Sequence, residues 1–254
     1  MLADSELEMG HYAQLHGCDN RALTRDVGDY IARGIQLGET VIAIVTWAHR
    51  ELLSTALSRT IDVARAIEDG ALEFIDAEQT LEQFLIRGYP DAERFDSVVG
   101  ERIREAHTRG ARIRAYGEMV GVLWQAGRYP AAIRLEQLWN GLRRRVSFAL
   151  YCSYPIDVFG SGFDGVAVDA LLRAHTHLLP AEAGGSLESA VARAASEVLG
   201  EAEASGGQRR GMVASKWGRL PPAESMILWL KTSHPDRAGD VLARAQVYYG
   251  DAPA

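Results

Sequence analysis

Thr40-Val41-Ile42-Ala43-Ile44-Val45 is the stretch whose reading decides the fold. It is a β-branched run of strand length, apolar after its first residue, as expected of a strand buried on both faces of a parallel sheet. Upstream, Asn20 can cap a helix in which Leu23, Val27, Tyr30 and Ile31 fall on one stripe, with Gly34 near its end. Downstream, His49 to Leu57 carries Leu52, Leu53, Ala56 and Leu57 at helical spacing. The alternation then repeats. Ala71 to Asp76 reads as a second strand, and Leu81, Phe84 and Leu85 mark the helix after it. A longer helix runs from about Ala92, turning Phe95, Val98, Val99 and Ile103 inward, to a stop at Gly110. Arg112 to Tyr116 is a third strand with weak periodicity, because arginines interrupt it. Helices over Glu118–Gln125 and Pro130–Arg144 lead to a fourth strand, Val146 to Tyr154. Strands joined through helices require crossovers, so the expected fold is α/β: a three-layer parallel sheet with helices on both faces.

Beyond Pro155 the texture changes. Gly160 to Gly165 spells GxGxxG, but no strand runs directly into it and no later strand follows, so a loop is expected there instead of a dinucleotide site. A short helix is expected over Val166 to Leu178, with breaks at Pro180 and Gly184–Gly185. Ser186 to Ala204 is helical in composition, Ser205 to Gly211 reads as a linker, and a final helix opens at Pro235 and closes near Gly250. The division expected is 10–182 for the α/β domain and 183–254 for a helical extension. That extension is small for a core of its own and is expected to pack on the α/β body or on a second subunit, as in a homo-oligomer.

The 254 residues carry 27 basic and 34 acidic side chains, a net charge of −7. An acidic chain is poorly suited to releasing counterions from phosphates, so direct nucleic-acid binding is not expected. The first ten residues are acidic and lack the features of a signal peptide, and no run of about 20 apolar residues could span a bilayer. A soluble cytoplasmic protein without membrane contact is the expectation. Lysine occurs at Lys216 and Lys231 alone, neither in a glycine-rich loop, so a Walker-type phosphate site has no candidate.

Ligands of open parallel sheets lie beyond the carboxyl ends of the strands. Thr46, Trp47 and His49 follow the first strand; Asp76 and Glu78 the second; Tyr116, Gly117 and Glu118 the third; the fourth ends in Cys152, Ser153 and Tyr154. Capping of the next helix is the ordinary alternative for Asp76 and Glu118. On the helix beginning at Pro130, Glu136 and Asn140 share a face at i, i+4, near Arg134. His11, His16 and Cys18 lack an apparent fourth partner, so no metal site is expected, and His175 and His177 read as partners of a helix dipole.

The stretch Ala115 to Leu142 (AYGEMVGVLWQAGRYPAAIRLEQLWNGL), followed by FALYCSYP at Phe148 to Pro155, resembles the signature of the MEDS family, a methanogen and methylotroph sensory domain also found in a dichloromethane-responsive repressor and ahead of sensor kinases. HYAQLH from His11, YIARGIQLGETVIAIVTWAHRELL from Tyr30, GALEFIDAEQTLEQFLIRGYPD from Gly70 and RAHTHLLPAE from Arg173 are similar to its other blocks, so the likeness covers about Gly10 to Glu182. The resemblance implies a RecA/KaiC-like core whose phosphate loop is lost, and a sensory role for a small molecule. Positions matching its motifs are His11, Gln14, Thr46, His49, Asp76, Tyr116, Glu118, Trp124, Arg134, Glu136, Trp139 and Asn140. With Trp47 from the strand ends, these supply the candidate ligand contacts; no catalytic residue and no particular cofactor follow. The expected function is a non-enzymatic sensory protein that binds a small molecule at the strand ends and signals through its tail or a regulatory protein partner. The alternative is an enzyme or nucleotide-binding protein on the same degenerate scaffold, with His49 and Asp76 or Glu118 as acid and base.

Overall fold

A computed structural model describes residues 9–16, 20–156, 165–179, 184–206 and 222–250. Its elements are β1 (His11–Leu15), α1 (Asn20–Gln36), β2 (Thr40–Val45), α2 (Trp47–Leu57), α3 (Val63–Glu68), β3 (Leu72–Asp76), α4 (Ala77–Phe84), β4 (Leu85–Ile86), β5 (Tyr89–Pro90), α5 (Ala92–Phe95), a π turn (Asp96–Gly100), α6 (Glu101–Thr108), β6 (Ile113–Gly117), α7 (Met119–Gln125), α8 (Tyr129–Arg143), β7 (Ala149–Tyr154), α9 (Gly165–Leu172), β8 (His177–Leu179), α10 (Gly184–Leu199), α11 (201–206), α12 (Pro222–Ser233) and α13 (Pro235–Gly250). The chain forms two compact units: residues 1–155 with 170–177, and 156–169 with 178–254.

The six-stranded sheet has the order β3-β2-β6-β7-β1-β8. The pairs β2–β3, β2–β6, β6–β7 and β1–β7 are parallel. The run from Thr40 to Val45 is β2, buried at every position and flanked on both sides, as its composition requires. The arginines that blur β6 are accommodated by a partner. Arg114, 2% exposed, donates Nε to Glu39 Oε2 at 2.6 Å and Nη1 to the Tyr30 carbonyl at 3.1 Å, with its guanidinium 4.7 Å from the Tyr30 ring.

Strand alternation sorts the sheet into two faces. Arg114, Tyr116, Tyr151 and Ser153 share one face with α1, where Tyr30 meets Tyr151 edge-on. Cys152 and Tyr154 take the opposite face, with α8. On that side Trp139 fills the space beside Gly117 and packs edge-on against Phe95 and Phe148. The three-layer arrangement is therefore present.

Several local expectations change. HYAQL forms β1, which pairs in parallel with β7, His11 opposite Leu150. The helix expected over Val166 to Leu178 ends at Leu172, because Thr176 turns back to β1: its N–H donates to the His11 carbonyl at 2.9 Å, and the His11 N–H donates to Thr176 Oγ1 at 2.7 Å. Gly184–Gly185 opens α10 instead of breaking the chain. The long helix from Ala92 contains the π turn, which keeps Phe95, Val99, Ile103 and Ala106 all buried. Arg87 and Gly88, at φ 50° and 82°, turn the β4–β5 hairpin. Gly160 and Gly162 of the GxGxxG, Cys18, Pro180 and residues 207–211 of the expected linker lie outside the described residues.

The C-terminal unit has a core of its own, contrary to the expectation from its length. Val191, Ala194, Ile227, Leu230, Val241 and Ala245 lie at its centre. The alanines let α10 and α13 approach closely, and Arg193 lies 3.8 Å over the Tyr248 ring. Among the described residues no helix is long and apolar enough to cross a membrane.

Candidate functional site

The structure divides the expected contacts into two clusters, one at the strand ends and one beneath α8. The first is centred on Glu118, which follows β6 and is 5% exposed. Glu118 is the N-cap of α7, yet its side chain makes no capping bond. It reaches across to the β2–α2 turn, where Oε2 accepts the Thr46 N–H at 2.8 Å and Oε1 accepts His49 Nδ1–H at 2.8 Å. Tyr116 also donates to Oε1 at 2.9 Å and in turn accepts from Ser153 Oγ at 2.6 Å. Three residues thus hold one carboxylate, with Ser153 behind Tyr116. The hydrogen bond to Glu118 raises the His49 pKa above the ordinary histidine value, against an opposing effect of burial. Trp47, 62% exposed, stands at the first position of α2, with Arg50 6.0 Å from its ring.

β2 passes to α2 through Thr46 alone, leaving no room for a phosphate-cradling loop. The N–H of Thr46, at the N-terminus of α2, is the kind of donor that receives a phosphate in such loops. Here a carboxylate of the chain itself receives it.

The second cluster gathers His11 from β1, Glu136 and Asn140 from α8, Cys152 and Tyr154 from β7, and His175 after α9. All of these lie in the first unit. The His11, Glu136 and His175 side chains are fully buried, and so is Cys152. Asn140 Nδ2 donates to the Ala174 carbonyl at 2.6 Å, which turns Oδ1 toward His11 Nδ1 at 3.1 Å. His175 Nδ1 donates to the Leu171 carbonyl at 3.0 Å, consistent with a partner of the α9 dipole. Each ring therefore carries its proton on Nδ1 and presents a bare Nε2 inward. Between them lies Glu136. Its Oε1 accepts from the Tyr154 hydroxyl, which is also 2.8 Å from His175 Nε2. Its Oε2 is buried with no hydrogen-bond partner. Cys152 Sγ is 3.5 Å from His11 Nε2. Burial raises the Glu136 pKa to about 8, lowers that of His175 to about 3, and pushes that of the Cys152 thiol well up. His11 is held well below the usual histidine range by burial and then by its neighbour His175, whose ring centroid is 4.1 Å away. These are the side chains of the described residues whose types and spacing could hold a metal.

Of the remaining expected contacts, Asp76 caps α4 through the Gln79 N–H. Gln14 bonds Asp26 at 2.7 Å and accepts from Tyr151. Arg134 reaches Gln137 at 3.4 Å on the outer part of α8. Ser153, Cys152, Tyr154 and His175 were not among the expected contacts. The first three were visible as strand-end residues, whereas nothing local tied His175 to them. A cleft of about 460 Å³ lies between α1 and α2, over Leu52 and Leu57. Another of about 680 Å³ follows β3 and reaches Arg50 and Phe74. Neither is lined by Glu118 or Glu136.

A parallel sheet covered by helices on both faces, with a carboxylate seated at the helix N-terminus that follows β2, defines the class as a three-layer α/β protein. The chain belongs to the MEDS family, described as the MEthanogen/methylotroph, DcmR Sensory domain, whose model matches residues 11–176. No curated protein and no solved structure gives a significant match.

Proposed function

We propose that the protein is a sensory module that binds a small polar or amphipathic molecule at the strand-end rim and passes its occupancy to the helical C-terminal unit or to a regulatory protein. The observation that carries this reading is the Glu118 arrangement. Its carboxylate takes the Thr46 N–H at the start of α2 and orients the partly exposed His49 imidazole, on the same helix as the exposed Trp47. Such a rim has one donor of its helix N-terminus taken by a carboxylate and presents an aromatic side chain and a positioned polar edge, the mixture that small-molecule sites use. A ligand switches the protein only by favouring one conformation, and about 1–3 kcal/mol of coupling suffices.

Native mass spectrometry of the purified protein tests whether a small molecule is retained. Titration of candidate metabolites, followed by Trp47 fluorescence, then reads binding, and protease sensitivity at residues 205–211 reads the signal. Binding that His49→Ala and Trp47→Ala both leave intact refutes the rim. Binding that never alters cleavage refutes the switch.

The His49–Glu118 pair also favours an acid–base enzyme as a second reading. Glu118→Gln separates the two: an enzyme loses turnover while retaining its substrate, whereas a receptor has no turnover to lose.

A further inference from the structure

We propose that His11 Nε2, Glu136 Oε2, Cys152 Sγ and His175 Nε2 form a four-coordinate zinc site that ties the two ends of the sensory domain together. The site is separate from the rim and does not depend on the reading given to it.

Three independent features support the assignment. The first is spacing. Zinc at about 2.05 Å from nitrogen or oxygen and about 2.3 Å from sulfur gives tetrahedral edges of about 3.3–3.4 Å for N···O and about 3.5–3.6 Å for N···S. The corresponding separations are 3.3 Å for His11 Nε2 to Glu136 Oε2, 3.6 Å for His175 Nε2 to the same oxygen, and 3.5 Å for His11 Nε2 to Cys152 Sγ. All four atoms lie within 4.8 Å of one another.

The second is orientation. Both imidazoles are fixed by an outer hydrogen bond from Nδ1, to Asn140 and to the Leu171 carbonyl, so their lone pairs converge. Tyr154 occupies one oxygen of Glu136 and leaves the other buried without a partner, aimed at the two Nε2 atoms. That is how a monodentate carboxylate ligand is held. Hydrogen bonds do link Tyr154 to Glu136 and His175, and Cys152 to His11, but the one Tyr154 proton serves a single acceptor, and the 3.3 and 3.6 Å contacts of Glu136 Oε2 with the two Nε2 atoms remain unexplained by them.

The third is charge. On binding, the Cys152 thiol and the Glu136 carboxyl each lose a proton to solvent, and both histidines coordinate as neutral rings. Two anions then cancel the dication, so no net charge is buried. Four protein ligands leave no open position, which marks a structural or regulatory metal instead of a Lewis-acid catalyst. The first and last ligands, His11 and His175, stand at the two limits of the family match, 11–176.

The test uses the full-length, reduced protein, stripped with a chelator and titrated with Zn²⁺ and with Co²⁺ as a spectroscopic probe. One equivalent per chain is expected, with the intense visible bands of tetrahedral cobalt and a thiolate-to-metal charge-transfer band. Cys152→Ser removes that band and Cys18→Ser retains it. Glu136→Gln weakens zinc by more than the roughly 10–100-fold that losing an outer partner costs, and Asn140→Ala, which keeps all four ligands, weakens it within that range. If Cys152→Ser fails to fold, Asn140→Ala and Cys18→Ser still decide. Absence of stoichiometric binding, an octahedral cobalt spectrum, or a thiolate band lost in Cys18→Ser overturns the proposal.

Discussion

Glu118 Oε2 lies 2.8 Å from the backbone nitrogen of Thr46, so a side chain arriving from β6 fills the anion-binding end of α2. The Thr46 N–H is thereby satisfied within the chain, at a helix end of the kind that can hold an anion.

Removing that carboxylate should free the donor. Glu118→Ala is expected to lose about 1.5–3 kcal/mol of stability, because charge-assisted hydrogen bonds from Thr46, His49 and Tyr116 go together. It should also gain weak affinity for inorganic phosphate, read as a melting-temperature rise with added phosphate that the native protein does not show. A variant as indifferent to phosphate as the parent would remove the internal-anion account.

His49 carries a pH signature. Its folded pKa is raised by the bond to Glu118, above an unfolded value of about 6.5. The resulting stability is fully present below the unfolded pKa and is lost as pH rises through the folded one. Denaturant melts of the protein and of His49→Gln should therefore differ most in mild acid and converge in mild alkali. A gap that widens with rising pH would contradict the pairing.

Arg114 and Glu39 form a buried pair between β6 and the start of β2. Glu39→Ala leaves a guanidinium buried without its counter-ion and should cost about 3–5 kcal/mol in chemical denaturation. Replacing both by apolar residues (Glu39→Leu with Arg114→Met) should cost far less than either single change. Simple additivity of the two would show that the pair is not coupled.

Ile227 is fully buried in the C-terminal unit. Ile227→Ala is expected to destabilise that unit by about 2–5 kcal/mol. Hydrogen exchange should then quicken in α10, α12 and α13 while β2, β6 and β7 keep their protection. Equal loosening of the sheet would mean that the two cores unfold together.

What the sequence revealed follows from where its signals are local. The apolar run at Thr40, the helix stripes and the i, i+4 pair Glu136 and Asn140 each declare themselves within a few residues; the run and the pair are found as expected, whereas of the stripe residues Leu52 is 43% exposed and Leu85 lies beyond α4 in β4. β1 was hidden because His11 and Gln14 make it look polar; both are buried on account of partners supplied by α8, α1 and β7. Arg114 weakens the periodicity of β6 for the same reason, although the strand is still legible. The rim was legible through the rule about strand ends, which placed Thr46, His49, Tyr116 and Glu118 correctly together. The cluster under α8 was only half legible. His11, Glu136 and Asn140 stand out in the sequence, but their union with Cys152 and His175 depends on β1 lying beside β7, and strand order has no local signature. For Asp76, the ordinary role as a helix cap is the one the structure shows.

The position of β1 also sets an order of events. This strand is synthesised before the other strands of its sheet, yet its parallel partner β7 and the Thr176 turn that bonds its edge are made near the end of the domain. As the nascent chain leaves the ribosome, α1 through α8 can assemble around β2 and β6 while the N-terminal segment waits for its slot. Completion of the sheet is thus a late step with a long loop to close, and folding should be slow for a domain of this size.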